Sequence, residues 1–373
     1  DLEKRLFYNF EYFNRVANSY LLTSVTDLDG RSIRLSYENG VLATLTDACG
    51  RRVTVRHTDA GFIESLHLRM PDGSSEQLVR YSYDGQGDMV GITDALGQTT
   101  GIRYEDHRMV EKTDRNGYTF CWEYDKEGRC VHTRGADGDQ EGWISYFPEQ
   151  GYNTVRDACG AESTYRYDAD QLVRSITDAL GNTIRYDYTE EMEPYREIDP
   201  EGRITGWHYD GRGNQTGTTY PDGTLSMRVF DEKDRMILQM SPKGARQIYV
   251  YDTEHPHRVR TVIEEDDTQT NFHYNSDGSL SMMEKGGRSI VLHYDDMGNL
   301  SSCHSEGRVL MHREYDYRGR PVMEQGPSAR PLQYEYDLLD RVRRIYRPDG
   351  NIIDIGYDCY DSVTEVKDKD RHV

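Results

Sequence analysis

Along most of this chain polar and apolar positions alternate with a period of two, and a turn signal interrupts them about every ten residues. Thr100-Gly-Ile-Arg-Tyr104 and Ser163-Thr-Tyr-Arg-Tyr167 set large or apolar side chains against polar ones, and Ile248-Tyr-Val-Tyr251 and Gln333-Tyr-Glu-Tyr336 are rich in types that suit a pleated surface. The interruptions have two forms. One is Tyr-Asp-x-x-Gly, as in Tyr124-Asp-Lys-Glu-Gly128 and Tyr315-Asp-Tyr-Arg-Gly319. The other follows about ten residues later, as in Thr177-Asp-Ala-Leu-Gly181, Ile198-Asp-Pro-Glu-Gly202 and Tyr346-Arg-Pro-Asp-Gly350. An Asp opens a type I turn because its carboxylate accepts from backbone N–H groups further on; Gly takes the left-handed conformation that closes the loop. The pattern predicts β-hairpins with strands of roughly five to seven residues.

The turns keep time. The Tyr-Asp position recurs at Tyr83, Tyr104, Tyr124, Tyr146, Tyr167, Tyr188, Tyr209, Phe230, Tyr251, Tyr274, Tyr294, Tyr315, Tyr336 and Tyr357, in steps of 20 to 23 and most often 21. Self-similarity at such a period is the mark of a repeat array. On the return strand an apolar residue often stands six after the Tyr, as do Met89, Cys130, Met236, Leu280, Leu300, Val342 and Val363. Before Tyr83 the beat is weaker, with Tyr37-Glu38 and His57-Thr58-Asp59 as degenerate members. The expected organisation is therefore one continuous all-β array, with residues 1–80 as irregular opening repeats and 81–373 as the regular part. Its candidate structural residues are the repeat tyrosines and the turn glycines Gly97, Gly117, Gly181 and Gly202.

Composition refines this picture. Only 35% of residues are hydrophobic and 30% are charged, which argues against a two-layer core, while 29 tyrosines and a regular turn grammar argue against disorder. A single curved sheet, wetted on both faces, reconciles the two. Equivalent tyrosines would stand about 9–10 Å apart, two strand spacings, with the apolar residue of the intervening strand between them. The formal charge of −21, without a basic block, gives phosphate-backbone binding little support. No run of about 18 apolar residues offers a membrane span. Six cysteines form no disulfide framework or C-x-x-C; Cys49 and Cys159 share an Asp-Ala-Cys-Gly turn slot. The opening Asp-Leu-Glu-Lys, without Met or signal peptide, is the expected mark of a piece of a longer chain.

The unit Y-D-x-x-G-x-[apolar]-x-x-x-[T]-D-x-x-G resembles the YD repeat of the Rhs (rearrangement hotspot) family. The resemblance covers nearly the whole chain and is strongest from Tyr81 to Asp231. The stretches His107–Gly117 and Tyr124–His132 resemble bacterial Rhs proteins of the polymorphic-toxin type in particular. The resemblance implies hairpins that coil into a curved, hollow β-shell around a toxic C-terminal domain, as in insecticidal toxin complexes, type VI secretion effectors and the related shell of animal teneurins. It implies a chain made in the bacterial cytoplasm, then secreted or delivered, whose partners are its own toxin domain or other cargo, secretion components or adjoining shell segments. The autoproteolytic core segment and the toxin that follow the repeats in such proteins are not seen here. The expected role is thus a non-catalytic wall, with no cofactor or metal, no nucleic-acid partner and no membrane span.

Each candidate for chemistry has a plainer structural reading. Asp199-Pro-Glu-Gly202 is similar to the family's self-cleavage motif, but it occupies the second turn slot, and turn geometry explains both Asp and Pro. The acid pairs Asp27/Asp29, Asp266/Asp267 and Asp295/Asp296 match no calcium-loop spacing and read as solvated turn acids. His208, His273 and His293 each precede the repeat Tyr and so face away from it; His255-Pro-His257 lies in a turn. No G-x-S-x-G, Walker loop or H-E-x-x-H is present. The functional alternative is a cell-surface module whose tyrosines stack on sugar rings or a receptor. Against it, every unit carries the Tyr, whereas a binding site should single out a few.

Overall fold

The structure is a computed structural model and describes residues 6–14, 19–327, 330–368 and 371–372. Among them the chain forms 35 β-strands and a single 3-10 turn, Pro148–Gln150. Consecutive strands pair antiparallel, as Ser75–Tyr83 does with Met89–Asp94 and Met89–Asp94 with Thr99–Glu105. The expected hairpin array is what the chain builds.

The loops are the ones the turn residues demand. In the turn Asp94–Gly97 the Gly97 N–H donates to the Asp94 carbonyl at 3.1 Å, and the Asp94 N–H to the Gln98 carbonyl at 2.9 Å. This is a type I turn closed by a left-handed residue. Gly97, Gly117, Gly181 and Gly202 all sit in that place, with φ of +81°, +84°, +87° and +82°. Gln171, Met192, Asp234, Asp267, Asp340 and Asp361 hold the same left-handed conformation without being glycine.

The two hairpin types differ in register. At most second turns the ladder is regular, as in Thr93↔Thr99 and Thr177↔Thr183. At the Tyr-Asp turn the register slips just before the Tyr, so that Tyr188 stands opposite Pro194, Tyr251 opposite Val259 and Tyr336 opposite Val342. A bulge bends its strand and sharpens the local twist. Such bulges recur at the Tyr-Asp hairpins, while among the second-type hairpins the register also slips at Leu66/His67 and Cys303/His304.

Burial agrees with a single layer. The accessible surface is 23909 Å², against roughly 15,000 Å² for a compact monomer of this mass. Among the described residues the buried hydrophobic side chains are Val55, Leu68 and Ile102, and no large side chain is completely buried. Apolar contact is instead spread along the ladder at half-buried positions.

The chain divides into two compact units, one made of Asp1–His107, Thr113–Gly117 and Asn271–Val373, the other of Arg108–Lys112 and Tyr118–Thr270. The first unit brings together repeats about 245 to 270 residues apart. Its early second-type turns abut its late Tyr-Asp turns. Cys49 Sγ lies 3.0 Å from the Met297 carbonyl, Arg51 donates to the Arg318 carbonyl at 2.8 Å, and Arg115 pairs with Asp361 at 3.4 Å. Gly278 is required by this contact: a Cβ there would lie 2.2 Å from Asp29 Oδ1.

Candidate functional site: the tyrosine, aspartate and arginine of each turn

The repeat Tyr does one recurring thing. Its hydroxyl donates to a backbone carbonyl of the preceding repeat. Tyr188 reaches the Val173 carbonyl at 3.0 Å, Tyr251 that of Met236 at 2.9 Å, Tyr294 that of Leu280 at 2.9 Å and Tyr315 that of Leu300 at 2.8 Å. Tyr124, Tyr209, Tyr336 and Tyr357 do the same to Met109, Pro194, Pro321 and Val342. Except for Met109, the accepting residue is the first residue of the return strand, the place six after the preceding repeat's Tyr or Phe. Tyr83 reaches Ile63 at 2.8 Å and stacks on Phe62 with ring centroids 4.8 Å apart. Tyr104 is half-buried near the end of Thr99–Glu105. Tyr167 departs from the pattern, with its hydroxyl 3.4 Å from the Asn153 side-chain oxygen. Burial pushes the hydroxyls of Tyr83, Tyr124, Tyr209, Tyr336 and Tyr357 above the ordinary phenol range, which keeps them protonated as donors.

The Asp that follows ties its own turn. Asp231 Oδ1 accepts from the N–H groups of Lys233 and Arg235 at 2.9 and 3.0 Å, and Oδ2 takes Arg235 Nε at 2.7 Å. Partial desolvation pushes this carboxyl up, but the Arg235 side chain and the two N–H groups outweigh it and bring it down to about 2. Where the first turn residue cannot accept, an acid two places on takes over: Asp72, Asp222 and Asp349 accept from the N–H of Ser74, Thr224 and Asn351.

The arginine was not anticipated. At the fifth place after the Tyr, Arg235, Arg320 and Arg341 pair with the turn Asp and lie over the next repeat's tyrosine, 4.4, 4.9 and 4.6 Å from the ring centroids of Tyr251, Tyr336 and Tyr357. Arg320 and Arg341 also reach forward to Asp340 and Asp361 in the next turn at 2.8 and 2.9 Å. The recurrent Arg after the left-handed Gly or Asp of this turn is visible in the sequence, but nothing in one repeat says that its guanidinium covers a ring 16 residues on.

The other candidates fall into these roles. Asp199 Oδ1 accepts from Glu201 and Arg203 N–H groups at 3.0 and 2.8 Å, and its Oδ2 pairs with Arg203. Desolvation pushes its carboxyl up, but the Arg203 side chain and backbone draw it below the ordinary range, so it stays ionised in its turn. Asp27 and Asp29 both hold Arg31, and Asp295 holds Asn299. His208 meets Thr219 at 2.8 Å, His273 meets Glu284 at 3.3 Å, and His293 packs edge-on to His304. The rings of His255 and His257 are 6.5 Å apart, edge to face. A Ser–His pair does meet: Ser65 Oγ is 2.9 Å from His67 Nε2. Both are buried, and burial together with Arg56 lowers the His67 pKa, so the pair is a satisfied polar contact without access for a substrate.

Known proteins share this repeat. The family model described as Teneurin YD-shell matches residues 144–306. "Probable deoxyribonuclease RhsB" of Dickeya dadantii is 27% identical over 87% of this chain and 22% of its own length. "Toxin protein Tse5" of Pseudomonas aeruginosa is 25% identical over 61% of this chain and 16% of its own length.

Over most of its length the chain is similar to proteins of the Rhs/YD-repeat family.

Among solved structures, a chain of TcdB2-TccC3-TEV shares the fold at TM-score 0.53 and 12% identity, covering 97% of this chain and 31% of that one. This YD-repeat chain spans less than a quarter of the curated relatives' lengths. What the YD repeat supplies is a fastened hairpin: turn tied by Asp, ring covered by Arg, and hydroxyl riveted to the previous repeat.

Proposed function

We propose that this chain is a non-catalytic wall segment of a secreted Rhs-type toxin, enclosing and sequestering a C-terminal toxin domain until delivery. The observation that carries this reading is the architecture itself. A single-layer sheet leaves both faces to solvent or cargo, and its Tyr, Asp and Arg side chains are spent on joining one repeat to the next. Such a sheet gains stability from neighbours rather than from a central core, which suits a wall. The repeat tyrosines Tyr83 to Tyr357 and the glycines Gly97, Gly117, Gly181 and Gly202 then act as fasteners, residues 1–80 opening the array and 81–373 continuing it. Relatives named as a deoxyribonuclease and a toxin, each several times longer than this match, support placing the toxic activity outside these repeats. Type VI delivery between bacteria is the route this reading favours.

The test uses the full-length protein that carries these repeats. Under enclosure, limited proteolysis leaves the C-terminal domain intact while the repeats are folded, and its toxic activity appears only after denaturation and release. A C-terminal domain cut as fast as the isolated domain would overturn the reading.

A second reading has one observation in its favour. A groove of about 360 Å³ is lined by Ile144, Tyr146, Asn153, Tyr165, Tyr167 and Gln171 among others. Here, in one repeat, Tyr167 leaves the backbone rivet for the Asn153 side chain. Aromatic rings with two amides suit a sugar. A soluble glycan screen in which a saturable hit disappears with Tyr165→Ala would favour this module over the wall.

A further inference from the structure

One short stretch of the sheet breaks the polar rule of the face turned away from the repeat tyrosines. On that face most repeats carry charged or small side chains: Cys121 and Glu123, Thr164 and Arg166, Arg185 and Asp187. In the strand Leu225–Phe230, Phe230 takes the tyrosine place, so Leu225, Met227 and Val229 look the other way. The strand two further on, Arg246–Tyr251, adds Ile248 and Val250 to the same face, with Arg246 at its end. Register closes the gap between them: Val229 pairs with Leu238 and Met227 with Met240, while Leu238 pairs in turn with Ile248 and Met240 with Arg246. Ile263 continues the row beyond Ile248. The patch lies within the second unit. It is open: Leu225, Met227, Val229 and Val250 are 37, 38, 40 and 45% exposed.

We propose that this patch is a docking face for an extended, uncharged apolar segment of a partner polypeptide. Four observations identify the occupant. Strands Leu225–Phe230, Met236–Met240 and Arg246–Tyr251 are each paired on both sides, so the occupant cannot add a strand and must be held by side chains. At ordinary strand and residue spacings the apolar rows cover on the order of 300 Å². That is the size of a functional surface patch, and well short of the roughly 800 Å² per partner of a stable dimer, so a short segment fits and a second copy does not. Met227 and Met240 give the surface adaptable thioether side chains, which suit a partner of variable sequence. In a chain with 66 acidic residues the three strands place none on this face, and its one charge, Arg246, stands at the end of its strand beside Met240, so apolar contact rather than charge holds the occupant. The inference goes beyond cargo enclosure and does not depend on it.

The experiment measures binding of a fluorescein-labelled Gly-Leu-Ser-Leu-Ser-Leu-Ser-Gly peptide to the 373-residue chain by fluorescence anisotropy, beside a control peptide with Ser at each Leu. The expected result is saturable binding of the apolar peptide alone, weakened at least tenfold in a Met227→Gln/Val229→Thr/Val250→Thr variant with an unchanged circular dichroism spectrum. Thr keeps the shape and strand preference of Val, so the fold should survive. Should the triple variant misfold, photo-crosslinking of a benzophenone-bearing version of the same peptide to the wild-type chain gives the answer, and it should label the Leu225–Met240 segment. No saturable binding, equal binding by a folded variant, or labelling elsewhere would overturn the proposal. So would a concentration-dependent dimer, seen by sedimentation and lost in the variant, because the patch would then belong to a second copy.

Discussion

Asp231 illustrates how one carboxylate serves both turn and stack. Its Oδ1 satisfies two backbone N–H groups, and its Oδ2 aims Arg235 at the ring of Tyr251. An Asn keeps the first job and loses the second; an Ala loses both. The structure already holds such a natural experiment in Asn214 and Asn299, which replace the arginine and donate to Asp210 and Asp295 instead. Asp231→Ala should therefore cost about 2 kcal/mol and Asp231→Asn about half of that. Chemical denaturation of the two variants checks the order; equal losses would mean that the arginine contributes nothing. Tyr251→Phe leaves the Met236 carbonyl without its donor and should cost about 1 kcal/mol by the same measurement.

At the scale of the hairpin, backbone conformation decides which residues the fourth turn place tolerates. Gly181 stands at φ +87° with open space where a Cβ would be, so Gly181→Ala meets no neighbour and is opposed by the backbone alone. Met192 holds the equivalent place at φ +67°, exposed, with its N–H on the Thr189 carbonyl at 3.1 Å. A left-handed conformation costs a residue with a Cβ about 1 kcal/mol more than glycine. Met192→Gly should raise the thermal midpoint and Gly181→Ala should lower it. A melt in which both move the same way would remove the conformational explanation.

At the scale of the whole molecule, the fasteners act together. Asp125, Asp168, Asp178, Asp199, Asp210 and Asp295 all have carboxyls held below their ordinary range by turn N–H groups and Arg or Asn partners, against the desolvation that pushes them up, and Asp231 is brought to about 2. A carboxyl depressed in the folded state contributes stability that is present above its unfolded value, near 3.9, and is lost as pH falls through the folded value. The thermal midpoint should therefore drop steeply between about pH 4 and pH 2, and a flat profile there would contradict the turn assignment. Within the first unit, Arg318 is the most enclosed of the long-range clasps, its side chain 7% exposed between Glu76 at 2.8 Å and Asp340 at 2.6 Å. Arg318→Met should speed amide exchange at Asp316–Gly319 and around Glu76 and leave the turns of the second unit unchanged; uniform acceleration would mean global rather than local loosening.

Strand class, the two turns per repeat and the places of Tyr83 to Tyr357 were legible in the sequence, because period-two alternation and Asp-x-x-Gly turns are local effects written within a few residues. The turn role of Asp199 was legible for the same reason. The guanidinium of Arg235 over Tyr251 was not, since it depends on the bulge that sets register at each Tyr-Asp turn. Nor was the approach of Asp29 to Gly278, or of Arg51 to Arg318, because it joins residues about 250 positions apart with no local pattern in common. The apolar rows from Leu225 to Val250 lie between these extremes: each residue is plain in the sequence, but only the pairing of Val229 with Leu238 and Leu238 with Ile248 joins them into one surface. Local chemistry chose the hairpins; the pairing of strands and the contacts between distant turns decided what they touch.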